Sequence, residues 1–242
     1  MPSPTEDPFE RSARRHDARA AGLRIISLAA DAPELADTVR SWDWIARSLL
    51  SSGVSPEARL RLEDLRRILA ELERVLHGEE DGEGTRDARL VRAAVAQGRI
   101  QAVTTVFLCR RAAFMELLAS APWNLLGPQG PDGRTDARAV HGAGCALIAE
   151  ASALARQAGA GGRVALQAEN PRSEALYQRL GFAPMRPSDA PLALVPQGGK
   201  GWSLPVLRLA RGEPGPEERR MPWLVRDPER MRLWERVHRR AG

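Results

Sequence analysis

Residues 169–185 read ENPRSEALYQRLGFAPM, and this stretch carries the clearest local signals in the chain. Asn170 followed by Pro171 predicts a helix start, because an asparagine side chain caps free N–H groups and proline suits the first turn. Gly181 predicts the end of that helix, since glycine readily adopts the left-handed conformation found there. The preceding run, Arg163–Ala168, alternates like a strand. The stretch therefore predicts a strand, a capped helix and a turn in succession.

A glycine-rich turn enters a long Ala/Leu helix further upstream, at VHGAGCALIAEA, residues 140–151. The free N–H groups and positive dipole at a helix start attract phosphate, and Gly142 and Gly144 let a ligand approach the backbone closely. The turn lacks the Gly-Lys-Ser/Thr ending of a Walker loop and the spacing of a dinucleotide fingerprint. Taken alone, a tight structural turn explains these two glycines at least as well.

The remaining patterns predict a chain that mixes helices and strands. Helices are predicted over 32–51, from Ser55-Pro56 to Gly78, over 144–157, and around Leu233, Trp234 and Val237. Strands are predicted at Leu23–Ala29, Arg89–Ala96, Arg99–Cys109, Ala113–Pro122 and 203–210, with a hairpin turn at 96–98. The acidic stretch GEEDGEGT, residues 78–85, fits a solvated connector or an acidic lip that attracts a cationic substrate.

The composition of the 242 residues disfavours several classes of protein. Lys and Arg total 36, only Lys200 is a lysine, and the net charge is +5. Between Ser55 and Leu76 arginines alternate with acids, whereas a phosphate-binding surface needs basic groups on one face, so direct nucleic-acid binding is disfavoured. No run approaches the roughly 20 apolar residues of a membrane span. Cys109 and Cys145 lack metal-ligand spacing, which favours buried thiols in a reducing cytoplasm.

The order of glycine turn, long helix, short strand, Asn-capped helix, tyrosine and Leu-Gly-Phe resembles the GNAT superfamily of acyl-CoA-dependent N-acyltransferases. The family's closing pattern, Asn-x-x-Ser-x-x-x-Tyr-x-x-x-Gly-Phe, is matched by Asn170, Ser173, Tyr177, Gly181 and Phe182. The family's turn, Gln/Arg-x-x-Gly-x-Gly/Ala, is matched at both glycines, but its leading position holds Ala139, next to Arg138. The motif-level match covers Arg89–Met185, with a weaker match from Leu23 onward.

This resemblance implies an α+β (α/β) fold, with a GNAT-like mixed, mostly antiparallel central sheet that is splayed into a V and flanked by helices. It implies acetyl-CoA as co-substrate and no metal. The pantetheine arm would pair with the fourth strand, and the pyrophosphate would lie on the glycine turn. The cofactor-binding residues implied in this way are Leu118, Ser120, Val140, His141, Gly142, Ala143, Gly144, Cys145, Asn170 and Ser173.

The implied reaction is attack of a primary amine on a thioester in a ternary complex. Tyr177 stands where many members of the family place the general acid that serves the departing thiolate, and the alternative is a packing tyrosine. Glu116, in the run FMELLASAP, is the candidate general base, because a buried acid in an apolar strand is costly without a function. An outward-facing side chain or a pair with an arginine is the alternative.

The acceptor site is implied beside the early helices and the end of the fourth strand. Its candidate lining is Trp42, Trp44, Trp123 and Asn124, with core packing as the alternative for at least one early tryptophan. The loop over 125–138 is a candidate acceptor-specific flap. The sequence does not specify whether the amine belongs to a small molecule, a peptide or a protein.

We divide the chain into a mobile N-terminal arm (1–20), an acyltransferase domain (21–212) and a charged C-terminal extension (213–242). The predicted function is an acetyl-CoA-dependent N-acetyltransferase in the cytoplasm. The alternative, from another class, is a non-catalytic CoA-binding or adaptor module that acts through partner recognition. We expect an amine-bearing acceptor and no membrane contact, and a homodimer is left open.

Overall fold

The computed structural model describes residues 22–77, 89–126, 136–185 and 223–228. Its strands are β1 (Arg24–Leu28), β2 (Arg89–Ala96), β3 (Arg99–Leu108), β4 (Ala113–Ser120), β5 (Val164–Gln167), β6 (Ala183–Pro184) and β7 (Trp223–Arg226). Its helices are α1 (Pro33–Ser51), α2 (Pro56–His77), α3 (Pro122–Leu125), α4 (Ala143–Gln157) and α5 (Pro171–Arg179). Outside the described residues lie the N-terminal arm, the acidic stretch, most of the 125–138 loop, the 203–210 strand and the C-terminal helix.

These strands form one sheet in the order β1-β2-β3-β4-β5-β7-β6. β1 pairs antiparallel with β2, and β7 pairs antiparallel with both β5 and β6. β4 and β5 run parallel, and their pairing joins Ala113, Phe114 and Met115 to Val164, Ala165 and Leu166. The β2–β3 connection has positive φ at both Gln97 (54°) and Gly98 (69°), as a two-residue hairpin turn requires.

The chain divides into two compact units. The first unit, whose described residues are 22–77, 89–105, 117–126 and 136–147, has helices on both faces of its strands. α1 and α2 pack against Ala93 of β2, whereas the start of α4 packs against the adjacent Ala94. Successive strand residues point to opposite faces, so these helices cover different sides of the strands. The predicted fold class, a mixed and mostly antiparallel sheet flanked by helices, is confirmed.

The second unit, whose described residues are 106–116, 148–185 and 223–228, contains β5, β6 and β7. Its core includes Phe107, Phe114, Ala165 and Met185, and the Phe114 and Trp223 ring centroids lie 5.4 Å apart. β7 lies inside the segment that we assigned to the C-terminal extension, and the sequence patterns did not predict it. That segment therefore contributes a strand that pairs with β5.

β4 ends at Ser120 rather than at the predicted Pro122. Proline has no N–H for a strand ladder, and here Pro122 begins the short helix α3 instead. The other predicted elements within the described residues are confirmed, with ends that shift by one or two residues. Among these residues, no helix is long and apolar enough to cross a membrane.

Candidate functional site

The turn that leads into α4 is the candidate functional site, and it lies in the first unit. Gly142 has a φ of +91°, which glycine adopts at little cost. Its carbonyl accepts the first α4 hydrogen bond, from the N–H of Ala146 at 2.9 Å. Within the described part of the chain, no hydrogen bond has a backbone donor in residues 141–145. These five N–H groups are therefore available to an anion at the positive end of the helix.

A side chain holds the residue that precedes this turn. The Oδ1 atom of Asn124 accepts a hydrogen bond from the backbone N–H of Val140 at 2.8 Å. The Val140 N–H is thus already used within the protein, and a contact of Val140 with the cofactor would need another atom. The backbone N–H groups of this turn that can still bind a phosphate are therefore those of residues 141–145.

Asn124 belongs to a buried polar network centred on Gln101. The Nδ2 atom of Asn124 donates to the backbone oxygen of Gln101 at 3.1 Å and to its Oε1 at 3.2 Å. Trp123 Nε1 donates to the same Oε1 at 2.9 Å, and Gln101 Nε2 donates to the carbonyl of Ala96 at 3.3 Å. Gln101 is fully buried, so these bonds offset the cost of removing its amide from water.

Arg138, the neighbour of the unmatched leading position, is held by two partners. Its Nε and Nη2 atoms bind the two carboxylate oxygens of Asp136 at 2.9 and 2.6 Å. Its guanidinium carbon also lies 4.8 Å from the centroid of the Trp123 ring. The hydrogen bond from Arg138 holds the pKa of Asp136 below its usual value, and the same bond raises the pKa of Arg138. A phosphate contact by Arg138 would compete with this ion pair.

The end of β4 lies against the same turn. A Cβ atom added to Gly144 would lie 3.8 Å from the Oγ of Ser120 and 3.9 Å from the Cδ2 of Leu118. Three of the predicted cofactor residues are therefore neighbours within one unit. His141 is exposed, and Cys145 is half-buried, with a thiol pKa that burial raises. This thiol is consequently not an activated nucleophile.

The start of α5, in the second unit, is capped by its own side chains. Asn170 Oδ1 accepts from the N–H groups of Arg172 and Ser173 at 3.1 and 3.0 Å. Ser173 Oγ in turn accepts from the N–H of Asn170 at 3.0 Å, which completes a capping box. The predicted helix start is confirmed. Contacts of Asn170 and Ser173 with a cofactor stay predictions, because their side chains already serve the helix.

The two candidate catalytic residues also belong to the second unit. Tyr177 is half-buried, and its ring centroid lies 5.5 Å from that of Phe182. Glu116 is half-buried near the middle of β4. The assignments of Tyr177 as acid and Glu116 as base stay predictions.

The tryptophans that were expected to line the acceptor site differ in solvent exposure. Trp42 is 2% exposed and meets Trp123 edge to face, with centroids 6.3 Å apart, whereas Trp44 is 69% exposed. Trp42 therefore packs in the core, which is the alternative stated for an early tryptophan. The Asn124–Gln101 network was not predicted. Gln101 stands between the apolar residues Ile100 and Ala102 in β3, but nothing in the sequence identifies Asn124 as its partner.

No protein-family model matches the chain, and no curated protein is similar to it in sequence. Several solved structures are similar in fold. The PaiA N-acetyltransferase of Thermoplasma acidophilum in complex with coenzyme A shares 15% identity over 85% of this chain and 98% of its own, with a TM-score of 0.40. A GNAT family acetyltransferase of Elizabethkingia anophelis with acetyl-CoA bound shares 12% identity over 85% and 98%, with a TM-score of 0.41. A putative GNAT acetyltransferase of Desulfovibrio desulfuricans shares 13% over 68% and 87%, with a TM-score of 0.43.

Proposed function

We propose that this protein is an acyl-CoA-dependent N-acyltransferase that transfers an acetyl group from acetyl-CoA to a primary amine. The observation that carries the proposal is the α4 turn, whose five successive N–H groups have no acceptor among the described residues. The sequence around this turn and around Tyr177 resembles the GNAT superfamily. That resemblance indicates that the anion bound by the turn is the pyrophosphate of an acyl-CoA. The chain has no matching family model, so the proposal rests on these residues alone.

The pyrophosphate of acetyl-CoA is the group that suits this turn. Backbone N–H groups at a helix start bind phosphate oxygens without regard to side-chain identity, and the helix dipole adds to their attraction. A left-handed glycine at Gly142 lets the ligand approach the backbone. Leu118 and Ser120, which lie beside Gly144, are the proposed contacts of the pantetheine arm.

The proposed reaction joins the amine nitrogen to the acetyl carbon and breaks the bond from that carbon to the sulfur of CoA. The amine loses one proton, and the departing thiolate gains one, so the products are an acetamide and free CoA. We assign removal of the amine proton to Glu116 and protonation of the thiolate to Tyr177. In this role the hydroxyl of Tyr177 would donate a hydrogen bond to the developing thiolate.

The experiment that tests this function follows CoA thiol release from acetyl-CoA over a panel of primary amines. With a productive amine, Tyr177→Phe and Glu116→Gln should each lower turnover about a hundredfold, the low end of what general acid–base groups contribute. Their acetyl-CoA dissociation constants should stay within about twofold of that of the unmodified protein, because neither side chain is assigned to the pyrophosphate. Leu60→Ala, at an exposed position of α2 that is assigned to no site, is the matched control.

Two results would contradict this proposal in different ways. Unchanged turnover in both variants would remove the assigned catalytic roles while leaving the enzyme class intact. Tight binding of acetyl-CoA without thiol release on any amine would instead favour the non-catalytic CoA-binding module.

A further inference from the structure

We propose that Asn124 is a positioning residue for the α4 turn, and that it acts on CoA affinity through the backbone of Val140. This inference rests on the proposed function, because it concerns the same anion site. Asn124 lies on the short helix α3, directly after β4, and its Oδ1 atom reaches the Val140 N–H at 2.8 Å. Val140 comes immediately before the five N–H groups that are available to phosphate.

The orientation of the Asn124 amide is fixed by its partners. Its Nδ2 atom faces two oxygens of Gln101, and its Oδ1 faces an N–H. If the amide were flipped, an NH₂ group would oppose the Val140 N–H and an oxygen would oppose the two Gln101 oxygens. Only one orientation satisfies all three contacts, so the side chain is a rigid link and not an adaptable one.

Gln101 anchors this link to the sheet. Gln101 is 0% exposed, its carbonyl also accepts from the N–H of Ala121, and its side chain binds Trp123 and Ala96. The position of Asn124 is therefore set by β3 and by the end of β4. Because Asn124 binds the Val140 N–H, these strands also fix the position of the residue that precedes the α4 turn.

This arrangement has a consequence for the ligand. A hydrogen bond from the Val140 N–H to Asn124 keeps that donor out of the anion site and holds the chain on the N-terminal side of Gly142. Without Asn124, the segment 139–141 loses its side-chain anchor, and the following N–H groups must be ordered when the ligand binds. Ordering a flexible segment on binding lowers affinity. The loss should concern only ligands that carry the pyrophosphate.

The test compares CoA with pantetheine, which has the same thiol arm but no pyrophosphate. Titrations of the full chain and of Asn124→Ala give the dissociation constant of each ligand, by calorimetry for CoA and by NMR for pantetheine. We expect the CoA dissociation constant to rise about tenfold, the equivalent of one lost hydrogen bond with its ordering cost, and that of pantetheine to stay within about twofold. Asn124→Ser, whose hydroxyl is too short to reach Val140, should behave in the same way and serves if the alanine variant does not fold.

Ser152→Ala is the matched control for general damage. The Oγ of Ser152 is buried and donates to the carbonyl of Gly162 at 2.7 Å, and Ser152 follows the last residue of the turn by seven positions along α4. This variant loses a buried hydrogen bond of the same kind and should keep both dissociation constants.

Four results would overturn the inference. Unchanged CoA affinity in both Asn124 variants removes the positioning role. If Asn124→Ala loses the same affinity for CoA and for pantetheine, Asn124 has only a structural role. The same conclusion follows if Ser152→Ala loses as much CoA affinity as Asn124→Ala. Failure of the unmodified protein to bind CoA contradicts the proposed function, and the inference about Asn124 then fails as well. A titration of the unmodified protein therefore distinguishes failure of the proposed function from failure of the Asn124 role.

Discussion

Two helix starts in this chain solve the same problem in opposite ways. The first N–H groups of α5 are satisfied by its own side chains, since Asn170 and Ser173 form a reciprocal capping box. The corresponding groups of α4 are left without an acceptor among the described residues, and the residue before them, Val140, is tied to Asn124. The capping box of α5 contributes to the stability of the fold. The uncapped N-terminus of α4, preceded by a residue held in place, can instead bind an anion.

The largest effect on anion binding at the start of α4 is expected from a substitution at Gly142. Gly142→Ala places a side chain at a φ of +91°, where a residue with a Cβ costs about 1–2 kcal/mol. We expect the turn to change conformation and the acetyl-CoA dissociation constant, measured by calorimetry, to rise tenfold or more. Gly53→Ala is the comparison variant, because Gly53 also has a positive φ, of 79°, but follows α1 and lies outside the turn. A rise in the dissociation constant at Gly53 equal to that at Gly142 would show that general damage to the fold, and not the conformation of the turn, is the cause.

An intermediate effect is expected at Asn170. Asn170→Ala removes the cap from the N–H groups of Arg172 and Ser173, and loss of such a cap typically lowers the free energy of unfolding by about 1 kcal/mol. Urea unfolding measures this change. Titration of the same variant with acetyl-CoA decides whether Asn170 also contacts the cofactor. Unchanged stability would mean that the capping box does not hold α5 in solution.

The smallest effect is expected at Asp136, which pairs with Arg138 beside the α4 turn. Because the pKa of Asp136 is lowered in the folded protein, its contribution to stability is present above the unfolded value of about 3.9 and is lost as the pH falls through the folded value. Asp136→Asn should therefore be less stable than the unmodified protein at pH 7, and the difference should disappear in strong acid. A stability difference that is equal at pH 7 and in strong acid would exclude the ion pair as its source.

The sequence predicts most elements of this fold, because their signals are local. The hairpin at 96–98, the proline-led helices and the Asn170 cap each depend on residues within a few positions of one another. The mixed charges of α2 form ion pairs along the helix, with Arg61 bound to Glu57, Arg67 to Asp64 and Arg74 to Glu71.

Two features could not be predicted, because they depend on distant parts of the chain. β7 has four residues in a charged segment, and its Arg226 is 1% exposed although arginine is rarely buried. The Asn124–Gln101–Val140 network joins residues that lie 16 and 23 positions apart. No periodicity reports such contacts, so the positioning of the α4 turn emerges only in three dimensions.

The proposed function requires that the open start of α4 bind the pyrophosphate of acetyl-CoA. A titration of the ¹⁵N-labelled protein with acetyl-CoA, followed through its backbone amide resonances, tests this most directly. We expect the amides of residues 141–145 to shift strongly on saturation, because these N–H groups gain charged acceptors. Saturable binding of acetyl-CoA that leaves those five amides unmoved would contradict it.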